Sequence, residues 1–244
     1  MKQLIAKIYD NYCFDKIFLS TKSISPWEKV YYIFRKYLTV FLGRKEIIFF
    51  GKKFSFDNPF TPVLLQGYPH EINTLNDKIN FNKIHSVLDV GANIGQWSFV
   101  LKSLFPLLQK NAKSFSNWKT YNFGDGSSEA SVYKTKERFN EKIVPVNLIT
   151  LDKKKRASAH IPKYFDLVKI DTEGSESEVL RSIGDIGFKY LEIEVSLKRN
   201  KGLSVKDVEN HFVKYISLKP KLFHLEVFNK NSPVADAIFS FVDL

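Results

Sequence analysis

Ser86-Val-Leu-Asp-Val-Gly-Ala-Asn-Ile-Gly-Gln-Trp97 is the stretch whose reading decides the fold. Val87, Leu88 and Val90 form a short apolar run with β-branched residues, and Gly91 and Gly95 break it. Trp97, Val100, Leu101 and Leu104 then recur at helical spacing, which predicts a buried strand, a glycine turn and a helix. In an open α/β sheet such a turn lies beyond the carboxyl end of a strand, where ligands bind. The following helix start offers unpaired N–H groups and a positive dipole end. Glycine there serves either close ligand approach or packing. The spacing is Gly-x-x-x-Gly, so neither the dinucleotide pattern Gly-x-Gly-x-x-Gly nor a phosphate loop ending in Lys-Ser/Thr is present. Asp89 precedes the turn, which suits a ligand carrying an ammonium better than one carrying a pyrophosphate.

A second stretch, Phe165 to Leu180, repeats the pattern: an apolar strand from Leu167 to Ile170 ends in Asp171 and leads into a helix. Taken with Asp-Val-Gly-Ala-Asn-Ile-Gly, the run Val-Lys-Ile-Asp-Thr-Glu-Gly-Ser-Glu from Val168 to Glu176 resembles the FkbM family of S-adenosylmethionine-dependent methyltransferases. Ala-Asp-Ala-Ile-Phe, Ala235 to Phe239, is similar to that family's terminal strand. The resemblance runs from about Ser86 to Leu244. It implies a Rossmann-like class I methyltransferase fold, an α/β architecture whose mostly parallel sheet ends in an antiparallel hairpin, with S-adenosyl-L-methionine as cofactor and a hydroxyl acceptor.

Methyl transfer from a sulfonium is an in-line displacement, so donor and acceptor must be held close and aligned while a base takes the hydroxyl proton. Gly91, Asn93 and Gly95 with Asp89 fit a cradle for the cofactor's amino-acid end. Asp171 points to the same crevice and is read as a contact to the cofactor or the acceptor hydroxyl, against the alternative of a structural loop bond; Glu173 shares that role. Glu192 and Glu194 lie on the next strand, where carboxylates are expensive unless paired. Glu194, nearer the carboxyl end, is the second candidate on the acceptor side, and pairing with Lys169 is its structural alternative. Ser175 and Glu178 have capping-box spacing, and Glu176 suits a helix first turn. His70, His85, His160, His211 and His224 show no ligand spacing, and no metal is expected.

One departure from the family pattern stands out. From Val90 to Gly124 there is no Asp or Glu, although a Rossmann-like site places an acid about 20 residues past the glycine loop to hold the ribose. Asp125 is the nearest candidate for that contact. The second functional reading is therefore a catalytically impaired, methyltransferase-like binding module that recruits a glycan or membrane partner.

The chain has 244 residues, 44% of them apolar, enough for a sizeable core. Cys13 is the single cysteine, which excludes an internal disulfide and a thiolate metal cluster and fits a reducing cytoplasm. No signal peptide or membrane span is read, so a soluble or peripheral protein is expected. The net charge of +11 is concentrated early: residues 1–56 hold eleven Lys and Arg against Asp10, Asp15, Glu28 and Glu46. Such a patch suits acidic lipid, an anionic glycan or nucleic acid, or is simply solvated. The tetrad Lys153–Arg156 is too short for a nucleic-acid site, and none is favoured.

Residues 1–60 are expected to form basic amphipathic helices and a small hairpin ahead of a methyltransferase-like domain at 61–244. Leu4, Ile5, Ile8 and Tyr12 share one helical face, and Trp27, Val30, Tyr31, Phe34, Leu38 and Phe41 form a longer stripe opposite Lys29 and Lys36. That stripe is expected to pack on the body of the enzyme; lying on an acidic membrane surface is the alternative. Ser25 and Pro26 signal the helix start, and Gly51-Lys52-Lys53 the hairpin. A strand at Tyr190–Ser196, a helix from Val205 capped by Ser204 and Asp207 that buries Val208, Phe212 and Val213, and two final antiparallel strands complete the reading.

Overall fold

The alternation of strand and helix read from the sequence is present in a computed structural model of the chain. The structure describes residues 2–56, 61–91, 96–105, 162, 164–172, 174–183, 186–198, 202–216, 220–227 and 232–241. These fall into two compact units, one running to Lys83 and including the helix Gln96–Leu104, the other comprising 84–91 and the residues from 162 onward. The segments expected around Leu107–Ala112, Lys119–Phe123, Val132–Lys134 and Val144–Leu148 lie outside the described residues.

In the first unit, α1 (Lys2–Ser20) and α2 (Pro26–Phe41) precede a hairpin of β1 (Glu46–Phe49) and β2 (Lys52–Ser55). The short α3 (Thr61–Leu64), α4 (Tyr68–Ile79) and α5 (Gln96–Leu104) follow. Phe49 pairs with Lys52, so the turn is the dipeptide Phe50-Gly51, with φ of 45° and 73°. Positive φ at both central residues is what a tight hairpin with the native strand twist requires. Ser25 caps α2 through a reciprocal bond with Glu28, as its sequence signals. Phe18, Tyr32 and Phe49 form the aromatic centre, with ring centroids 4.5 to 6.0 Å apart. Trp97, Val100 and Leu101 of α5 are buried, as their spacing predicts.

α2 is turned the opposite way from expectation. Lys29, Tyr32, Lys36 and Thr39 are its buried residues, while Trp27, Val30, Tyr31, Phe34, Leu38 and Phe41 are exposed. The reason is a set of hydrogen bonds that satisfies the polar heads of Lys29, Tyr32 and Lys36. Lys29 Nζ donates to the Leu19 carbonyl at 2.8 Å and Tyr32 Oη to the Pro62 carbonyl at 2.6 Å. Lys36 Nζ donates to Asn11, to Asp15 Oδ1 at 2.5 Å and to Gln66 Oε1 at 3.0 Å. Desolvation nevertheless pulls the Lys36 ammonium below its ordinary value against the attraction of Asp15. The hydrogen bond to Asp15 is the main reason the Tyr37 phenol is pushed up to about 12.

In the second unit, β3 (Val87–Val90), β4 (Tyr164–Ile170), β5 (Gly187–Ser196), β6 (Lys221–Glu226) and β7 (Val234–Ser240) form one sheet in the order β3-β4-β5-β7-β6. β3, β4 and β5 are parallel neighbours; β7 is antiparallel to both β5 and β6. The described sheet is therefore mixed rather than mostly parallel, because the last strand returns between β5 and β6 instead of adding at the edge. α6 (Glu176–Ser182) and α7 (Val205–Ile216) complete the unit. Val168, Ile170, Leu191, Ile193, Ala237 and Phe239 form one buried cluster with Leu180, Ile183, Val208 and Phe212. Ser204 and Asp207 form the expected reciprocal cap of α7, and Val208 and Phe212 are fully buried. Val213 is 54% exposed, against expectation. One residue past Phe212 it is turned about 100° round the helix and leaves the buried stripe.

Candidate active site

The centre of the candidate site is the carboxyl end of β3 and β4. β3 stops at Val90, and Gly91 turns the chain with φ of +89°. Asp171 N donates to the Val90 carbonyl at 3.0 Å, which holds the two strand ends together. A Cβ at Gly91 would lie 1.7 Å from the Asp171 carbonyl oxygen and 2.9 Å from Thr172 Cγ2. Glycine is therefore required here twice over, by a backbone conformation that L side chains avoid and by the approach of the neighbouring loop.

Strand register then aligns the charged residues. Asp89 is level with Lys169, and Lys169 with Glu192. Carrying the row Val90–Ile170–Ile193 one residue further brings Gly91, Asp171 and Glu194 level, and Glu194 is paired with Asp236 on β7. Alternate residues of a strand share a face, so Asp89, Asp171, Glu192, Glu194 and Asp236 project from the face opposite Val168, Ile170, Leu191 and Ile193. On the same face Lys169 Nζ lies 3.4 Å from Asp171 Oδ2. Its side chain is 4% exposed and that of Asp171 35%, so Lys169 anchors the carboxylate from below and leaves it reachable.

Two carboxylates build the loops: Glu176, expected only to suit a helix first turn, and Asp166, to which the sequence reading gave no role. Glu176 is buried, and its Oε1 accepts from Thr172 N, Thr172 Oγ1 and Gly174 N, each at 3.0 Å. It clamps the turn after Asp171 rather than only meeting the helix dipole. Ser175 sits at the N-cap without a side-chain cap bond, so the expected capping box with Glu178 does not form. Asp166 Oδ2 accepts from His85 N at 2.7 Å and from Ser86 N at 3.0 Å, joining the starts of β3 and β4. An acid two residues past Gly174 signals the first of these clamps; no local pattern signals the second, since its partners are 81 and 80 positions away. Asn93, Gly95, Asp125 and Glu173 lie outside the described residues.

What this arrangement offers chemically is an acidic strand edge beside a tight glycine turn, suited to a cationic ligand and to accepting a proton. Among the described residues no helix is long and apolar enough to cross a membrane. Residues 106–216 match the family described as Methyltransferase FkbM domain. The match contains β4, α6, β5 and α7 and begins beyond the glycine turn, so it falls on the more specific of the two sequence motifs. It bears out the recognition made from those motifs and supports a methyltransferase. Among curated proteins none matches the chain.

Proposed function

We propose that this chain, an FkbM-family methyltransferase by its matched segment, methylates a hydroxyl of a sugar or glycan precursor with S-adenosyl-L-methionine as donor, in the cytoplasm. The observation that carries the reading is that Asp171 follows the end of β4 directly, against Gly91, while Glu194 follows Ile193, the β5 partner of Ile170, on the parallel neighbour. Such strand ends are where open α/β sheets bind ligands.

The donor set fits the cofactor, since carboxylates suit its ammonium and sulfonium charges. Asp89 and Asp171 would hold the amino-acid end. When bound, S-adenosyl-L-methionine supplies an electrophilic methyl group. The chain's own residues do the rest. Lys169 orients the Asp171 carboxylate, and Glu176 holds the backbone N–H groups of Thr172 and Gly174. Glu194 takes the proton of the acceptor hydroxyl, its carboxylate oxygen serving as general base. A base held by a β-strand keeps the reacting geometry with little reorganisation.

Calorimetric titration with S-adenosylhomocysteine tests the reading. Binding near micromolar, about −8 kcal/mol, is expected for the full chain, with weaker binding in Asp171→Asn. Glu194→Gln is expected to bind the same ligand normally and to lose methyl transfer to sugar hydroxyls. A folded protein that does not bind would overturn the proposal.

A further inference from the structure

We propose that the outward face of α2 is a docking surface for an anionic lipid bilayer. This goes beyond methyl transfer and does not depend on it. Trp27, Val30, Tyr31, Phe34, Leu38 and Phe41 follow one another at helical spacing along the whole of α2. Trp27 is 83% exposed, Phe34 64% and Phe41 86%. An amphipathic helix in a soluble protein ordinarily turns such a stripe inward. Here the inward positions are occupied by Lys29, Tyr32, Lys36 and Thr39, and their hydrogen bonds leave the stripe facing out.

The charge around the stripe selects the occupant. Arg35 lies over the Tyr31 ring, 5.0 Å from its centroid. Arg44 and Lys45 are exposed just past Phe41 and Leu42. Glu28, the one carboxylate of α2, is drawn into the cap with Ser25. A helix that pairs an apolar aromatic face with basic flanks lies in the plane of the headgroups, its apolar side chains reaching the acyl boundary. Trp and Tyr favour that depth, and each basic residue near the surface is attracted by anionic lipid. The 16 residues of α2 span about 24 Å and suit lying on the bilayer rather than crossing it. A second copy is the poorer occupant, because a two-fold contact sets the same patch against itself and opposes Arg35, Arg44 and Lys45 to their own kind.

The test is co-sedimentation of the full chain with phosphatidylcholine vesicles that do or do not contain about one third phosphatidylglycerol. Binding is expected with the anionic vesicles and to fall when salt is added. Two combined variants, Trp27→Ser with Phe34→Ser and Phe41→Ser, and Arg35→Gln with Arg44→Gln and Lys45→Gln, are each expected to weaken it at least about tenfold. These side chains are on the surface, so both variants should keep the wild-type circular dichroism melt. As a measurement on a conservative variant, brominated lipid is expected to quench a tryptophan signal that Trp27→Phe removes. The proposal is overturned if the folded wild type stays in the supernatant, or if the aromatic variant binds as well as the wild type. It is equally overturned if sedimentation shows a dimer that the aromatic variant turns into a monomer.

Discussion

Gly91 is the residue on which the candidate site turns. Its own conformation and the Asp171 carbonyl both exclude a side chain. Gly91→Ala is therefore expected to destabilise the protein by about 3 kcal/mol or more, the sum of a left-handed backbone penalty and an overpacked contact. Urea midpoints read it directly, and an unchanged midpoint would show that the two strand ends do not meet as described. The sequence displayed the glycine and left open whether a ligand or the protein required it; the partner lies 80 positions on. His211 carries a second expectation at this scale. Burial is the largest influence and holds its imidazole below the ordinary value, opposed by a hydrogen bond to the Leu180 backbone and helped by Arg181. In the unfolded chain His211 titrates near about 6.5, so below that pH the unfolded state binds more protons and stability falls. Stability is expected to rise with pH up to about 6.5 and then to level off with respect to this group. Comparing urea midpoints across that range, His211→Gln should show a shallower slope than the wild type.

Among the elements, α2 was the most legible in period and the least legible in direction. The apolar stripe and the Ser25–Glu28 start are local features, and both are present. Which side faces inward depends on acceptors from other segments: Asn11 and Asp15 on α1, the Pro62 carbonyl, and Gln66. Together they offset part of the desolvation of Lys36, which a periodicity argument cannot weigh. Lys36→Met removes the ammonium that holds Asp15, Asn11 and Gln66 together. It is expected to cost about 3 kcal/mol or more, the loss seen when one partner of a buried ion pair is deleted. Denaturant unfolding would check it, and a neutral result would mean that the buried network contributes no net stability. The cap of α7 was legible, and so was the presence of the hairpin, but its turn is Phe50-Gly51 rather than Gly51-Lys52-Lys53, since strand pairing takes Lys52 and Lys53 into β2. Val213 was not, since one residue's rotation round a helix decides its exposure.

For the whole molecule, the family match and the strand-end carboxylates carry one joint expectation. S-adenosylhomocysteine at about 100 times its dissociation constant should add about 2.7 kcal/mol to the stability of the folded state. In a chain of 244 residues this corresponds to a rise in melting temperature of roughly 5–10 °C. Differential scanning calorimetry would read the shift, and Asp171→Asn should reduce it. A wild-type melt that the ligand leaves in place would count against the cofactor assignment. The sequence by itself determined the strand–turn–helix units, the motif at Val168–Glu176 on which the family match falls and the early concentration of positive charge, because each is written in residues close together along the chain. Only the tertiary structure decided that β7 returns between β5 and β6, that Gly91 is closed by Asp171, and that Asp171 and Glu194 stand level on one face. It also decided that the aromatic stripe of α2 faces outward. Each of these rests on contacts or strand registers between residues far apart in sequence, whose desolvation and hydrogen bonding are settled only once the partners have met.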